Sequence, residues 1–210
     1  MKRLPAYIIN HISADTLVAF TVMGMRGTSL VAKFIFTLFI ARYMEFETLG
    51  AYGLIASASI IASLFFGLTL IHTISRNAVT QTQLEICRSI RYYGQYIIFV
   101  YIFLLIPTYL ISVFYNNIQL SFLILIVILF EHINGDFYRL FLNLSKPFLA
   151  NLLHFVRTAV WMTVFMLVAY LNPELKTLDN ILIAWILGGI VAMIGTCLLY
   201  TSPSPRDQAK

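Results

Sequence analysis

The stretch LVAFTVMGMRGTSLVAKFIFTLFIARYM, residues 17–44, decides how this chain is read. It is long and apolar enough to span a bilayer, for which about 20 mostly apolar residues suffice. Yet it carries Arg26 and Lys33, with Arg42 near its far end. Two helical turns separate Arg26 from Lys33, so both fall on nearly the same helix face. A basic side chain near the bilayer centre costs at least ~2.5 kcal/mol on insertion scales. Two placements make that cost bearable. Either the stripe faces a wet translocation path, or the helix sits toward one interface. In the second case Arg26 snorkels to the surface and Lys33 pairs with a carboxylate elsewhere in the bundle.

Composition agrees with a membrane chain. Of the 210 residues 60% are hydrophobic and 11% charged, against about 25% charged in soluble domains. The formal net charge of +5 reads as basic anchoring loops and not as nucleic-acid binding. Two cysteines, Cys87 and Cys197, make neither a disulfide framework nor a metal-ligand spacing. No cleavable signal is evident, since the first apolar span is too long for a signal-peptide core.

The predicted architecture is all-α: a polytopic six-helix transmembrane bundle over residues 17–196. It follows a cytoplasmic juxtamembrane segment at 1–16, read as a brief helix or an early extension of the first span. The helices are placed at 17–44, 51–74, 96–114, 119–141, 147–171 and 181–196. A tight acidic connector ending at Gly50 joins the first two. Residues 75–95 form a surface-lying amphipathic stretch, Pro107 should kink or break a bond in helix 3, and 115–117 make a minimal turn. With the N-terminus inside, Lys2, Arg3, Arg76, Arg88, Arg91, Arg139 and Lys146 fall on the cytoplasmic side, and only Arg42 and Lys176 outside. That is a clear positive-inside bias.

Further charged residues lie within the spans. Glu131 sits just past the middle of helix 4, and a buried carboxylate must be paired or protonated. Arg26, Lys33 and Arg157 are its candidate partners, and the other reading is a titrating coupling site. Asp136 and Arg139 read as a local pair at the interface, with His132 within hydrogen-bond reach of Asp136. Arg157 lies roughly 15 Å into helix 5, near mid-membrane, and its planar donor fork suits phosphate or carboxylate. Together Arg26, Lys33 and Arg157 would line a path for an anionic passenger. His72 and His154 read as packing residues, and Tyr92, Tyr93, Tyr96, Phe114 and Tyr115 as interfacial belts. No nucleophile elbow, phosphate-binding glycine loop, zinc helix or dinucleotide fingerprint is present, so neither an enzyme nor a cofactor nor a metal is expected.

Several phrases resemble a known family. These are RGTSLVAK at 26–33, LFIARYM at 38–44 with Ile40-Ala41-Arg42, and FETLGAY at 46–52 with Gly50-Ala51-Tyr52. Phe66-Gly67-Leu68 before Ser75-Arg76, Glu131 to Arg139, and Asn151 to Trp161 follow in order. Over residues 17–196 the chain is similar to the N-terminal half of bacterial polysaccharide flippases (O-antigen or teichoic-acid type). These belong to the multidrug/oligosaccharidyl-lipid/polysaccharide exporter superfamily. The resemblance implies a MATE-like fold of two six-helix bundles around a central cavity in the bacterial plasma membrane. It implies flipping of undecaprenyl-pyrophosphate-linked saccharide repeat units during polysaccharide biosynthesis, lipopolysaccharide included. A polysaccharide polymerase and glycosyltransferases would be further partners, besides membrane lipids. Arg26, Lys33 and Arg157 would then meet the anionic head group, with Glu131 balancing charge or coupling to ions.

Only the first bundle is present, so this fragment alone is not expected to transport. The run CLLYTSPSPRD at 197–207 resembles a translated sequencing adapter, and residues 197–210 are accordingly read as a non-native tail. The alternatives are a MATE-like drug or metabolite antiporter, whose cavity should be acidic, and a non-transporting structural membrane subunit.

Overall fold

The computed structural model describes residues 6–66, 70–77, 82–144 and 146–201. The side chains of 6–15, 70, 72, 75, 83, 197 and 199–201 fall outside that description. Eight α-helices follow in order: α1 Ala6–Tyr43, α2 Phe46–Phe66, α3 Leu70–Asn77, α4 Gln83–Phe114, α5 Ile118–Asn143, α6 Pro147–Phe155, α7 Trp161–Leu171 and α8 Leu178–Thr201. A π-helical turn, Val156–Val160, joins α6 to α7. Among the described residues six spans are long and apolar enough to cross a membrane, α6, the π turn and α7 together forming one of them. This is an all-α bundle consistent with a polytopic membrane protein.

Several boundaries differ from expectation. From Ala6, where the described residues begin, α1 runs unbroken to Tyr43, so residues 6–16 extend the first span, one of the two readings open on sequence. The turn into α2 is only Met44 and Glu45, so Gly50 lies inside a helix and makes no bend. Of the helix expected over 51–74, the described residues lie in α2 and in the short α3, and residues 67–69 between them are outside the description. The amphipathic stretch is not separate from residue 83 onward. Thr82 and Glu85 form a reciprocal capping box, and α4 continues from there into the membrane segment. Pro107 is carried within α4. The turn at 115–117 forms as expected: Asn116 takes a positive φ of 52°, a conformation asparagine tolerates, and Asn117 caps α5 through Leu120 N.

The last helix starts at Leu178 and not at residue 181, with Thr177 accepting from Asn180 N. Its 19 residues through Thr196 rise ~28 Å, close to the ~30 Å hydrocarbon core. The helix runs on to Thr201. Of the expected adapter-like tail, residues 202–210 lie outside the described residues, as does the side chain of His72.

Helix α5 is central, touching α2, α3, α4, α6 and α8. It meets α8 closely because glycines leave room. A Cβ on Gly189 would come within 2.9 Å of Phe130, and one on Gly188 within 2.7 Å of Trp161. Asn134 clamps the crossing, its Nδ2 donating to Gly189 O at 3.1 Å and to Phe130 O at 2.9 Å. The main apolar core joins Phe36 and Ile40 of α1, Ile55 of α2, Val127 of α5, Phe165 of α7 and Trp185 of α8. Outward faces carry exposed Leu54, Ile61, Phe99, Phe103, Leu167 and Leu187. In lipid such side chains carry no penalty, and helix association rests on packing and interhelical hydrogen bonds.

Candidate functional site

Arg26, Lys33, Glu131 and Arg157 meet on one side of the bundle, where α1 lies against α6 and the π turn. Arg26 donates from Nε to Asn151 Oδ1 at 2.8 Å and from Nη2 to Tyr138 Oη at 2.7 Å. It remains exposed beyond those contacts. Two turns further along α1, Lys33 is within electrostatic reach of both Glu131 and Arg157. The stripe read from the sequence thus faces other functional candidates and not lipid alone.

Arg157 is the deepest of the three cations. Its side chain is 11% exposed and that of Glu131 19%, with Nη1 3.7 Å from Glu131 Oε2. Nη1 also lies 3.4 Å from the Glu131 carbonyl. Of the three partners open to Glu131 on sequence, Arg157 makes the ion pair and Lys33 stands by. The carboxylate is further held by Trp185, whose Nε1 donates to Oε1 at 2.8 Å. Gly135 lies beside the guanidinium, where a Cβ would make ordinary contact with Nη1 at 3.7 Å. The buried Nε of Arg157 has no hydrogen-bond partner among the described residues. Arg157 sits on the π turn, a wound-out element that often marks functional positions in helices.

His154 stands between these groups. Its Nδ1 lies 3.3 Å from Arg157 Nη2, and its ring packs on Tyr138 with centroids 5.2 Å apart. Arg157, Lys33 and Arg26 all act on it electrostatically. The packing role read for His154 therefore holds, within the cationic cluster itself. Among the described residues two guanidiniums and the Lys33 amine gather around one carboxylate, so basic groups outnumber acidic ones on a face built from membrane-length helices. Beyond Glu131 the site is closed by rings: Trp161 stacks on Trp185 at 5.6 Å, and Phe36 meets Tyr52 and Trp161 edge-on.

Partners that sequence reading missed are Tyr138, Asn151, Trp185 and Tyr52. A signal existed for some of them. Asn151, His154 and Arg157 recur every three residues in an otherwise apolar segment, and Glu131 and Tyr138 are seven apart on α5.

A second polar cluster joins α4 to α5. His132 and Asp136, 0% and 2% exposed, lie 3.1 Å apart, and Arg139 Nη1 reaches Asp136 Oδ1 at 3.2 Å. Both contacts were expected. Tyr93 was read as a membrane-belt residue, but it turns inward and donates to Asp136. Tyr101 lies 3.2 Å from His132 Nδ1, and Tyr96 donates to Phe66 O at 3.0 Å. A buried carboxylate draws such donors because each unmet acceptor in a dry interior costs free energy. Tyr92, Phe114 and Tyr115 are exposed, as belt residues would be. Among the described residues no group of three or more His, Cys, Asp or Glu could hold a metal ion.

Fold and site together define a class: a multi-span helical membrane protein with a basic face in its bundle. No protein-family model, curated protein or solved structure matches the chain.

Proposed function

We infer that this bundle serves in a transporter that moves an anionic, lipid-linked saccharide across the membrane. The passenger class best matched is an undecaprenyl-pyrophosphate-linked oligosaccharide, of the kind used in O-antigen and other surface-polysaccharide synthesis. One observation carries the reading: Arg26, Lys33 and Arg157 converge around His154, with Glu131 as the one carboxylate of the cluster among the described residues. A pyrophosphate would supply the missing negative charge, and Arg forks bind phosphate oxygens in pairs. The barrier to flipping is desolvation of sugars and pyrophosphate in hydrocarbon, and a basic wet face lowers it while the prenyl chain stays in lipid. Glu131, tied to Arg157 and Trp185, sets the guanidinium in place.

On this reading the chain belongs in a bacterial plasma membrane with its N-terminus cytoplasmic, and a second bundle faces the basic stripe. An antiporter for cationic drugs would require the opposite charge balance.

The test is surface-polysaccharide production in the organism carrying the gene, with Arg26→Gln, Lys33→Gln and Arg157→Gln made chromosomally. Loss of surface polysaccharide with build-up of lipid-linked repeat units is expected. Unchanged production at normal protein level would refute the assignment.

A further inference from the structure

Away from the basic face, a groove of about 480 Å³ runs between α4 and α5, with Ile71 of α3 at its edge. Along α4 it is lined from Ile90 to Leu105, and along α5 from Leu125 to Leu140. Those sixteen-residue runs rise roughly 22 Å, more than half of the ~30 Å hydrocarbon core. A helix about 10 Å across would fill roughly 1,700 Å³ over that length, far more than this groove offers, whereas one hydrocarbon chain is slender enough to lie along it. The polar side chains in the lining are Tyr93, Tyr101 and Asp136; Tyr93 is bonded to Asp136, and the Tyr101 hydroxyl is taken up by Ile128 O and His132 Nδ1. Water therefore has little to hold it there.

Charge gathers at one end of the groove. Arg91 is exposed on α4, in helical line with Ile98 and Ile102 of the lining. It makes no ion pair among the described residues. Arg88 is exposed one turn earlier. Arg139, next to Leu140, keeps 30% of its side chain exposed while paired to Asp136. Two carboxylates oppose these three arginines: Glu85, bonded to Thr82 and within electrostatic reach of Arg88, and Asp136, bonded to Arg139, His132 and Tyr93. The end is thus net cationic. Gly94, one turn in, keeps the groove open, since a Cβ there would meet nothing within 4 Å.

We propose that this groove binds an acidic membrane phospholipid, one acyl chain lying along α4 and α5 and the phosphate resting against Arg91, Arg88 and Arg139. The site is separate from the basic face and does not depend on what the protein transports. Its effect would be to couple packing of α4 on α5 to the acidic-lipid content of the membrane.

The test uses the full chain in phosphatidylcholine nanodiscs containing a trace of lipid with a diazirine at the acyl terminus, carried on either phosphatidylglycerol or phosphatidylcholine. After illumination, labelled peptides are mapped by mass spectrometry. Labelling of 90–105 and 125–140 by the phosphatidylglycerol probe should exceed that by phosphatidylcholine roughly fivefold, as expected for one arginine at an anionic head group. R88Q/R91Q, at exposed positions, should bring the two probes level, and Gly94→Leu should reduce both by filling the groove. Equal labelling in the unaltered chain, or an undiminished preference in R88Q/R91Q, would overturn the proposal.

Discussion

Arg157 and Glu131 face one another at 3.7 Å across the π turn and α5, with Trp185 holding the carboxylate from the far side. The pair is nearly enclosed, so each member is tolerated because of the other. Lys33 and Arg26 extend the positive charge beyond what Glu131 can match.

That relationship predicts strong coupling. Glu131→Gln should destabilise the bundle by about 3 kcal/mol, because it leaves a buried guanidinium unmatched. E131Q/R157Q should be milder than the sum of the single changes, and a double-mutant cycle by thermal unfolding in detergent measures the difference. Additive losses would mean the two side chains act independently.

The second network gives a paired comparison. Tyr93→Phe removes a donor from buried Asp136 and should cost about 1–3 kcal/mol. Tyr92→Phe, at the exposed neighbouring position, should change stability by under ~0.5 kcal/mol. Hydrogen exchange along α4 should quicken for the first variant alone.

Gly188 tests the close approach of α8. A Cβ there would lie 2.7 Å from the Trp161 side chain, so Gly188→Ala should cost about 1–3 kcal/mol through overpacking and shift tryptophan emission. Gly53→Ala, where a Cβ meets nothing within 4 Å, should be neutral or stabilising by up to ~1 kcal/mol, from helix propensity.

Orientation is open to a direct check. Cys87 is exposed on the first turns of α4. With Cys197→Ser in place, a membrane-impermeant maleimide should label it in inverted vesicles and not in intact cells. The reverse pattern would place the N-terminus outside.

Much of this was legible in local pattern. Runs of apolar residues the length of a bilayer announce six spans, and charges within them stand out because lipid makes them costly. Arg26, Lys33, Glu131 and Arg157 were marked that way and do come together. The reach of α4 back to Gln83 was not visible, because polar residues interrupt the apolar run there. Nor were the partners. Tyr138 and Asn151 reach Arg26 from more than 100 positions away, and no periodicity encodes such a meeting. Tyr93 misled for a related reason: a tyrosine near a span end suits an interface equally well, and only the neighbouring carboxylate decides which way it turns. The π turn adds one residue to a helical register and leaves no compositional mark.

The central claim is that the basic face receives a pyrophosphate-bearing lipid, and equilibrium binding to the chain in nanodiscs measures it most directly. Undecaprenyl pyrophosphate should bind at least roughly tenfold more tightly than undecaprenol, the equivalent of ~1.4 kcal/mol. R26Q/K33Q should erase most of that preference while leaving the fold intact. Equal affinity for the two lipids, or a preference untouched by removing Arg26 and Lys33, would contradict the account.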